Sequence, residues 1–180
     1  FTQIAETADQ AYIPNVDCDG VGEGAWTVTV RSQDPTTQDF TDVIDILPYV
    51  GDERGTSYSG DYVLTGVEAV DGATVYYTTT DPAVLSDDPA DSSNGQAGDV
   101  ADNTVGWTTD FTPEATAVRV IGPELPAGES HQFTIGILTD GAEAGDVFVN
   151  RAQGRAENTR LVMRTSEPTE VANYYSASLK

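Results

Sequence analysis

Residues 26–31 alternate without a fault: Trp26, Val28 and Val30 are apolar, and Thr27, Thr29 and Arg31 are polar. A period of two places successive side chains on opposite faces of a strand, so the Trp26 face points at a core. The same alternation returns in 132–138, where Phe133, Ile135 and Ile137 share one face. Further strands are predicted at 40–47, 62–70, 73–80, 105–108, 117–121, 147–156, 160–165 and 171–179, with an edge or lead-in strand inside 1–14. The turn formers fall between them: 15–24, Asp34-Pro35, Asp71-Gly72, Pro126-Ala127-Gly128 and Asp140-Gly141. Asp71-Gly72 predicts a hairpin that joins 62–70 to 73–80. The 40–47 strand, closed by Pro48, reads as the partner of the Trp26 strand. In the last strand Val171, Asn173 and Tyr175 oppose Ala172, Tyr174 and Ser176. Roughly ten strands at 8–12-residue spacing, with no helical period, predict an all-β fold: a single antiparallel, Ig-like β-sandwich spanning 1–180.

The pattern breaks in two places. Residues 15–24 form a Gly- and Asp-rich turn. Residues 81–103 hold six aspartates and no basic residue. A connection that long is functional, ion-bound or mobile, and its like charges favour a mobile, self-repelling loop. The region 49–103 as a whole reads as an elaborated insertion into a core pattern that runs from 25 to 156.

Charge narrows the partners. Thirty acidic residues face eight basic ones across 180 residues, for a formal charge of −22. No basic footprint exists to neutralise phosphates, which excludes nucleic acid. An anionic membrane surface is disfavoured for the same reason, and no run approaches the ~18 apolar residues of a membrane-spanning helix. An acidic surface suits solubility, separation of neighbouring molecules and cations. The chain starts at Phe1 rather than Met and reads as a fragment or a processed form, a monomeric module within a larger chain. Its one cysteine, Cys18, cannot form an internal disulfide, and the flanking Asp17 and Asp19 make it a poor nucleophile.

Candidate chemistry is sparse. Asn15, Asp17 and Asp19 stand at positions one, three and five of a turn with Gly20 at six, the opening of a Ca²⁺ loop. Position twelve is Trp26 instead of a bidentate glutamate, so a Ca²⁺ turn and a plain acidic turn both stand. His131 lacks a Gly-x-Ser-x-Gly partner and reads as an exposed strand-edge residue. With thirty acids, no carboxylate pair can be singled out for hydrolysis, and no catalytic residue is assigned. Tyr58, Tyr62 and Tyr76 could form an aromatic platform for a sugar, the alternative being ordinary cross-strand packing.

The ordered segments carry a resemblance. Trp26–Arg31, Asp45-Ile46-Leu47-Pro48, Val105-Gly106-Trp107, Leu125-Pro126-Ala127-Gly128-Glu129-Ser130 before Phe133-Thr134-Ile135, and Gly145-Asp146-Val147-Phe148-Val149-Asn150-Arg151-Ala152 follow one another as in a sandwich repeat. That repeat occurs in Gram-positive, actinobacterial-like cell-surface and adhesin proteins and is largely of unknown function. The resemblance implies an extracellular, cell-surface or wall-associated protein and a non-enzymatic structural or adhesive module. Its partner would be a glycan or protein on a host or neighbouring cell. Binding through the 49–103 insertion, with or without Ca²⁺, is the alternative, and a hydrolase with two converging carboxylates is a further class. Some related surface domains carry Lys–Asn isopeptide bonds, but the one lysine here is Lys180. A Thr–Gln ester cross-link stays open.

Overall fold

The computed structural model describes residues 2–159 and 162–174. Twelve strands are formed: β1 (Thr2–Ala8), β2 (Tyr12–Val16), β3 (Glu23–Ser32), β4 (Thr41–Ile46), β5 (Asp61–Ala69), β6 (Thr74–Thr78), β7 (Ala117–Gly122), β8 (Ser130–Asp140), β9 (Val147–Phe148), β10 (Arg151–Ala156), β11 (Val162–Thr165) and β12 (Thr169–Tyr174). They make a four-stranded sheet in the order β1-β3-β8-β5 and a five-stranded sheet in the order β11-β10-β4-β7-β6. Every pairing in these two sheets is antiparallel. A small sheet, β2-β12-β9, adds one parallel pair, β2 with β12.

The two large sheets pack face to face, which makes the fold a β-sandwich. Ile4, Val28, Val30, Leu64, Phe133 and Ile135 from one side meet Val43, Leu47, Val118, Val120 and Ala152 from the other. Trp26 is fully buried, but in a second cluster, with Ile13, Ile137, Phe148 and Val171 beneath the small sheet. The alternation of the Trp26 strand therefore marks an inward face in the manner expected.

Two predicted pairings differ. The Trp26 strand pairs with β1 and β8, while 40–47 lies in the other sheet between β7 and β10. The Asp71-Gly72 turn exists, with Ala73 N–H donating to the Val70 carbonyl at 3.1 Å. It carries the chain from one sheet to the other, so β5 and β6 are not a hairpin. Alternation identifies which face is inward and says nothing about which strand lies alongside. His131 sits on a central strand, half-buried, with Nδ1 3.1 Å from the Thr41 hydroxyl. It is therefore not an exposed edge residue, and burial lowers its pKa. The predicted strand segments 160–161 and 175–179, including Tyr175, lie outside the described residues.

The acidic 81–103 segment is folded against the outer face of the five-stranded sheet as a third layer. Every residue of β4 is buried because both its faces are covered. Ile44, Ile46 and Ala117 pack outward on Val105 and Trp107. Aspartates here close local turns: Asp81, Asp88, Asp91 and Asp99 each accept a backbone N–H two residues ahead, at 2.7–2.9 Å. The layer is anchored by a fully buried ion pair, Arg119 Nε and Nη2 to Asp42 at 2.9 and 2.6 Å. Arg119 also donates to the carbonyls of Asn94 and Gln96, at 2.6 and 2.8 Å. Gly98 N–H reaches Asp42 at 2.7 Å, and Trp107 Nε1 donates to Asn94 Oδ1 at 2.9 Å. The expected self-repelling loop is thus a clamped layer, since one buried guanidinium and the Asx turns outweigh its surface repulsion.

Candidate functional site

Where the 47–63 segment leaves one sheet for the other, it opens a cleft of about 300 Å³. Its walls include Pro48, Tyr49, Tyr58, Tyr62 and Pro113, together with the acidic residues Asp61 and Glu114. Tyr58 stacks on buried Phe148, with centroids 4.8 Å apart and planes 15° off parallel. Tyr62 meets both rings edge-on at 5.7 Å. The Tyr62 hydroxyl donates to the Pro48 carbonyl at 2.5 Å. Burial raises the pKa of Tyr62, and burial together with Asp61 raises that of Tyr58, so both hydroxyls stay protonated. Tyr49 is fixed by a tight loop in which Asp52 accepts the N–H groups of Tyr49 and Arg54, at 3.3 and 2.9 Å. The Arg54 guanidinium lies over the Tyr49 ring, 5.9 Å from its centroid, and donates to the Ile46 carbonyl at 2.7 Å. The rings are thus held by a stacked partner, a hydroxyl bond and a cation contact, a preformed surface with apolar faces and an acidic edge.

Behind this cleft, between the sheets, lies a buried polar cluster. Glu6 from β1, Asp45 from β4 and Asn150, just before β10, meet at one amide nitrogen. Asn150 Nδ2 donates to Glu6 Oε1 at 2.6 Å and to Asp45 Oδ2 at 2.7 Å. Asp45 and Asn150 are fully buried and Glu6 nearly so. Among the described residues, Glu6 Oε2, Asp45 Oδ1 and Asn150 Oδ1 have no hydrogen-bond partner. Burial, then the charge of Asp45, pushes the Glu6 carboxyl up to about 9. Burial pushes Asp45 up to about 7, against the pull of Arg54 and of the Asn150 bond. Two converging carboxyls with raised pKa values are what a hydrolase would need. Here they face the core, and neither lines the tyrosine cleft, so a substrate in that cleft does not meet them.

Of the three tyrosines singled out from sequence, Tyr58 and Tyr62 come together in the cleft. Tyr76 lies elsewhere, packed on the Ile44–Trp107 cluster under the third layer. Tyr49 was not singled out, because a lone Tyr after Pro48 in a loop carries no periodic signal. Asn15, Asp17 and Asp19 do share one turn. Asn15 is buried, its Oδ1 accepts Gly20 N–H at 2.8 Å and its Nδ2 donates to Asn173 Oδ1 at 2.9 Å. Asp19 Oδ1 accepts Val21 N–H at 2.8 Å. Asp17 and Cys18 adopt positive φ, 54° and 57°, and Cys18 is exposed. Among the described residues no group of three or more His, Cys, Asp or Glu side chains could hold a metal ion. No described helix is long and apolar enough to cross a membrane.

No protein-family model and no curated protein matches the sequence. Similar folds occur among solved structures. The major pilin subunit BcpA of Bacillus cereus is 10% identical, with a TM-score of 0.45, over 95% of this chain and 40% of that one. The chain therefore spans about two fifths of the BcpA length. The collagen-binding subdomain ACE19 of the Enterococcus faecalis surface protein ACE is 9% identical, with a TM-score of 0.41, over 94% of this chain and 96% of that one. BslA, a bacterial hydrophobin, is 13% identical, with a TM-score of 0.39, over 97% and 96% of the two chains. Identities this low carry no site residue across.

Proposed function

We propose that the chain is a non-enzymatic structural or adhesive module of an exported bacterial surface protein, and that its adhesive surface is the Tyr49–Tyr58–Tyr62 cleft. The observation that carries this reading is the cleft itself, lined by three tyrosines whose rings are each held by a neighbouring group. Preorganised aromatic faces stack on sugar rings or on apolar and cationic side chains at little entropic cost. Asp61 and Glu114 at the cleft, on a chain of charge −22, favour neutral or cationic ligands over anionic ones. A glycan or protein of a host or neighbouring cell is the partner class. As a structural segment the module acts sterically, its buried strands resisting unfolding and its acidic faces keeping neighbouring copies apart.

The test is a glycan array and a panel of cell-surface proteins, probed with the chain and with Tyr58→Ala. Binding that Tyr58→Ala weakens at least tenfold supports the adhesive reading. Binding that survives Tyr58→Ala places the ligand elsewhere. No binder on either panel leaves only the structural role.

A further inference from the structure

We propose that Asn150 is the pivot of a proton-operated switch between the two sheets, its carboxamide turning over as Glu6 and Asp45 gain or lose protons. One amide atom faces two carboxyls at 2.6 and 2.7 Å. As NH₂ that atom has two hydrogens, one for each carboxylate. Rotated by half a turn, the amide places its oxygen there, with two lone pairs, one for each carboxylic O–H. The position can thus bond either the doubly ionised or the doubly protonated pair, with the amide orientation reversed between them.

The hydrogen-bond accounting supports this. With both acids ionised, Glu6 Oε2 and Asp45 Oδ1 are buried anionic oxygens without donors. Such atoms are costly, and a neutral carboxyl in the same place costs much less. The surroundings give limited relief. On β10 the Ala152 backbone N–H favours the ionised form of Glu6. From the 49–57 loop Arg54 acts on both Glu6 and Asp45, but it is shared with Asp52 and lies near Arg151. From the third layer Asp87 acts on Asp45 unfavourably, and is itself paired with Arg151 at 3.2 Å. On β5 the half-buried Tyr62, protonated, feels the charge of Asp45. Among the described residues Arg54 is the cation that acts on both Glu6 and Asp45, and a proton can supply the neutrality that it does not.

Both folded-state values lie above the ordinary 4.5 and 3.8. The unfolded chain therefore releases these protons first as pH rises. The contribution to stability is complete below about pH 4 and is lost between there and about pH 9. The switch strengthens the sheet-to-sheet contact in acid, the reverse of ordinary acid denaturation.

The experiment is a pH titration from 4 to 10 of the intact chain by NMR, following the Glu6 and Asp45 carboxyl carbons and the Asn150 side-chain NH₂. Carboxyl midpoints at least two pH units above ordinary values, with the Asn150 signal moving in step, are expected. Ordinary midpoints, or an Asn150 amide that ignores the titration, overturn the proposal. Glu6→Gln adds a second readout, because the glutamine cannot ionise. Its melting temperature is expected to fall less between pH 6 and 10 than that of the parent chain, and an equal fall overturns the switch. Should Glu6→Gln not fold, the carboxyl and amide titrations of the parent chain still decide.

Discussion

Arg119→Met is expected to release the third layer before the sandwich unfolds. Arg119 and Asp42 are both fully buried, and the guanidinium makes four bonds, two to the carboxylate and two to the carbonyls of Asn94 and Gln96. Methionine fills much of the volume but leaves the Asp42 carboxyl uncompensated. Removing one partner of a buried pair costs about 3–5 kcal/mol. The two carbonyls lose their donor as well, at about 1 kcal/mol each. The sum, about 5–7 kcal/mol, is a large part of the 5–15 kcal/mol typical of a domain. The chain carries its own reporters, since Trp107 packs in the layer and Trp26 in the sandwich core. Urea unfolding followed by fluorescence should become biphasic, the Trp107 transition moving down by about 2 M for a slope near 2–3 kcal/mol/M. Proteolysis should cut first within 81–116. The double variant Asp42→Leu/Arg119→Met should recover more than half of the loss, because no charge is left orphaned. A single-variant loss below about 1 kcal/mol, or a double variant no better than the single, refutes the clamp.

Four further outcomes follow from local geometry. Tyr58→Ala removes the stack on Phe148 and should cost about 1 kcal/mol by thermal melting, while weakening ligand binding in the cleft. Gly60→Ala should cost about 2 kcal/mol or more by the same measurement, since φ is +67° and an added Cβ would lie 2.2 Å from the Asp140 carbonyl. Asn15→Ala removes the bonds to Gly20 N–H and Asn173, at about 1 kcal/mol each in urea unfolding. A Ca²⁺ ion at Asn15, Asp17 and Asp19 would raise the melting temperature in excess calcium and lower it again in EDTA, and an unchanged value removes the ion.

The inward faces were legible from alternation alone. Trp26, Val28, Val30, Phe133, Ile135 and Ile137 are all buried as their period predicts. What alternation leaves out is the partner of each strand, and so β4 was placed beside the wrong neighbour. The run Asp42-Val43-Ile44-Asp45-Ile46 did hold a signal. A strand without clean alternation is covered on both faces, and an aspartate inside it must then be neutralised or paired. Asp42 is paired with Arg119 and Asp45 is bonded to Asn150. The segments that carry the family resemblance supply two corners of the buried cluster, Asp45 before Leu47-Pro48 and Asn150 before Ala152. Their side chains meet 105 residues apart in sequence, at 2.7 Å. The third corner, Glu6, was hidden among thirty acids. Nothing in composition separates a carboxyl that closes a surface turn from one that sits between sheets. The distinction arises only when β1 is laid beside β3 and its even-numbered side chains, Ile4 and Glu6, are turned inward together. Acidity that reads along the chain as surface thus becomes, at Glu6 and Asp45, the polar interior of the fold.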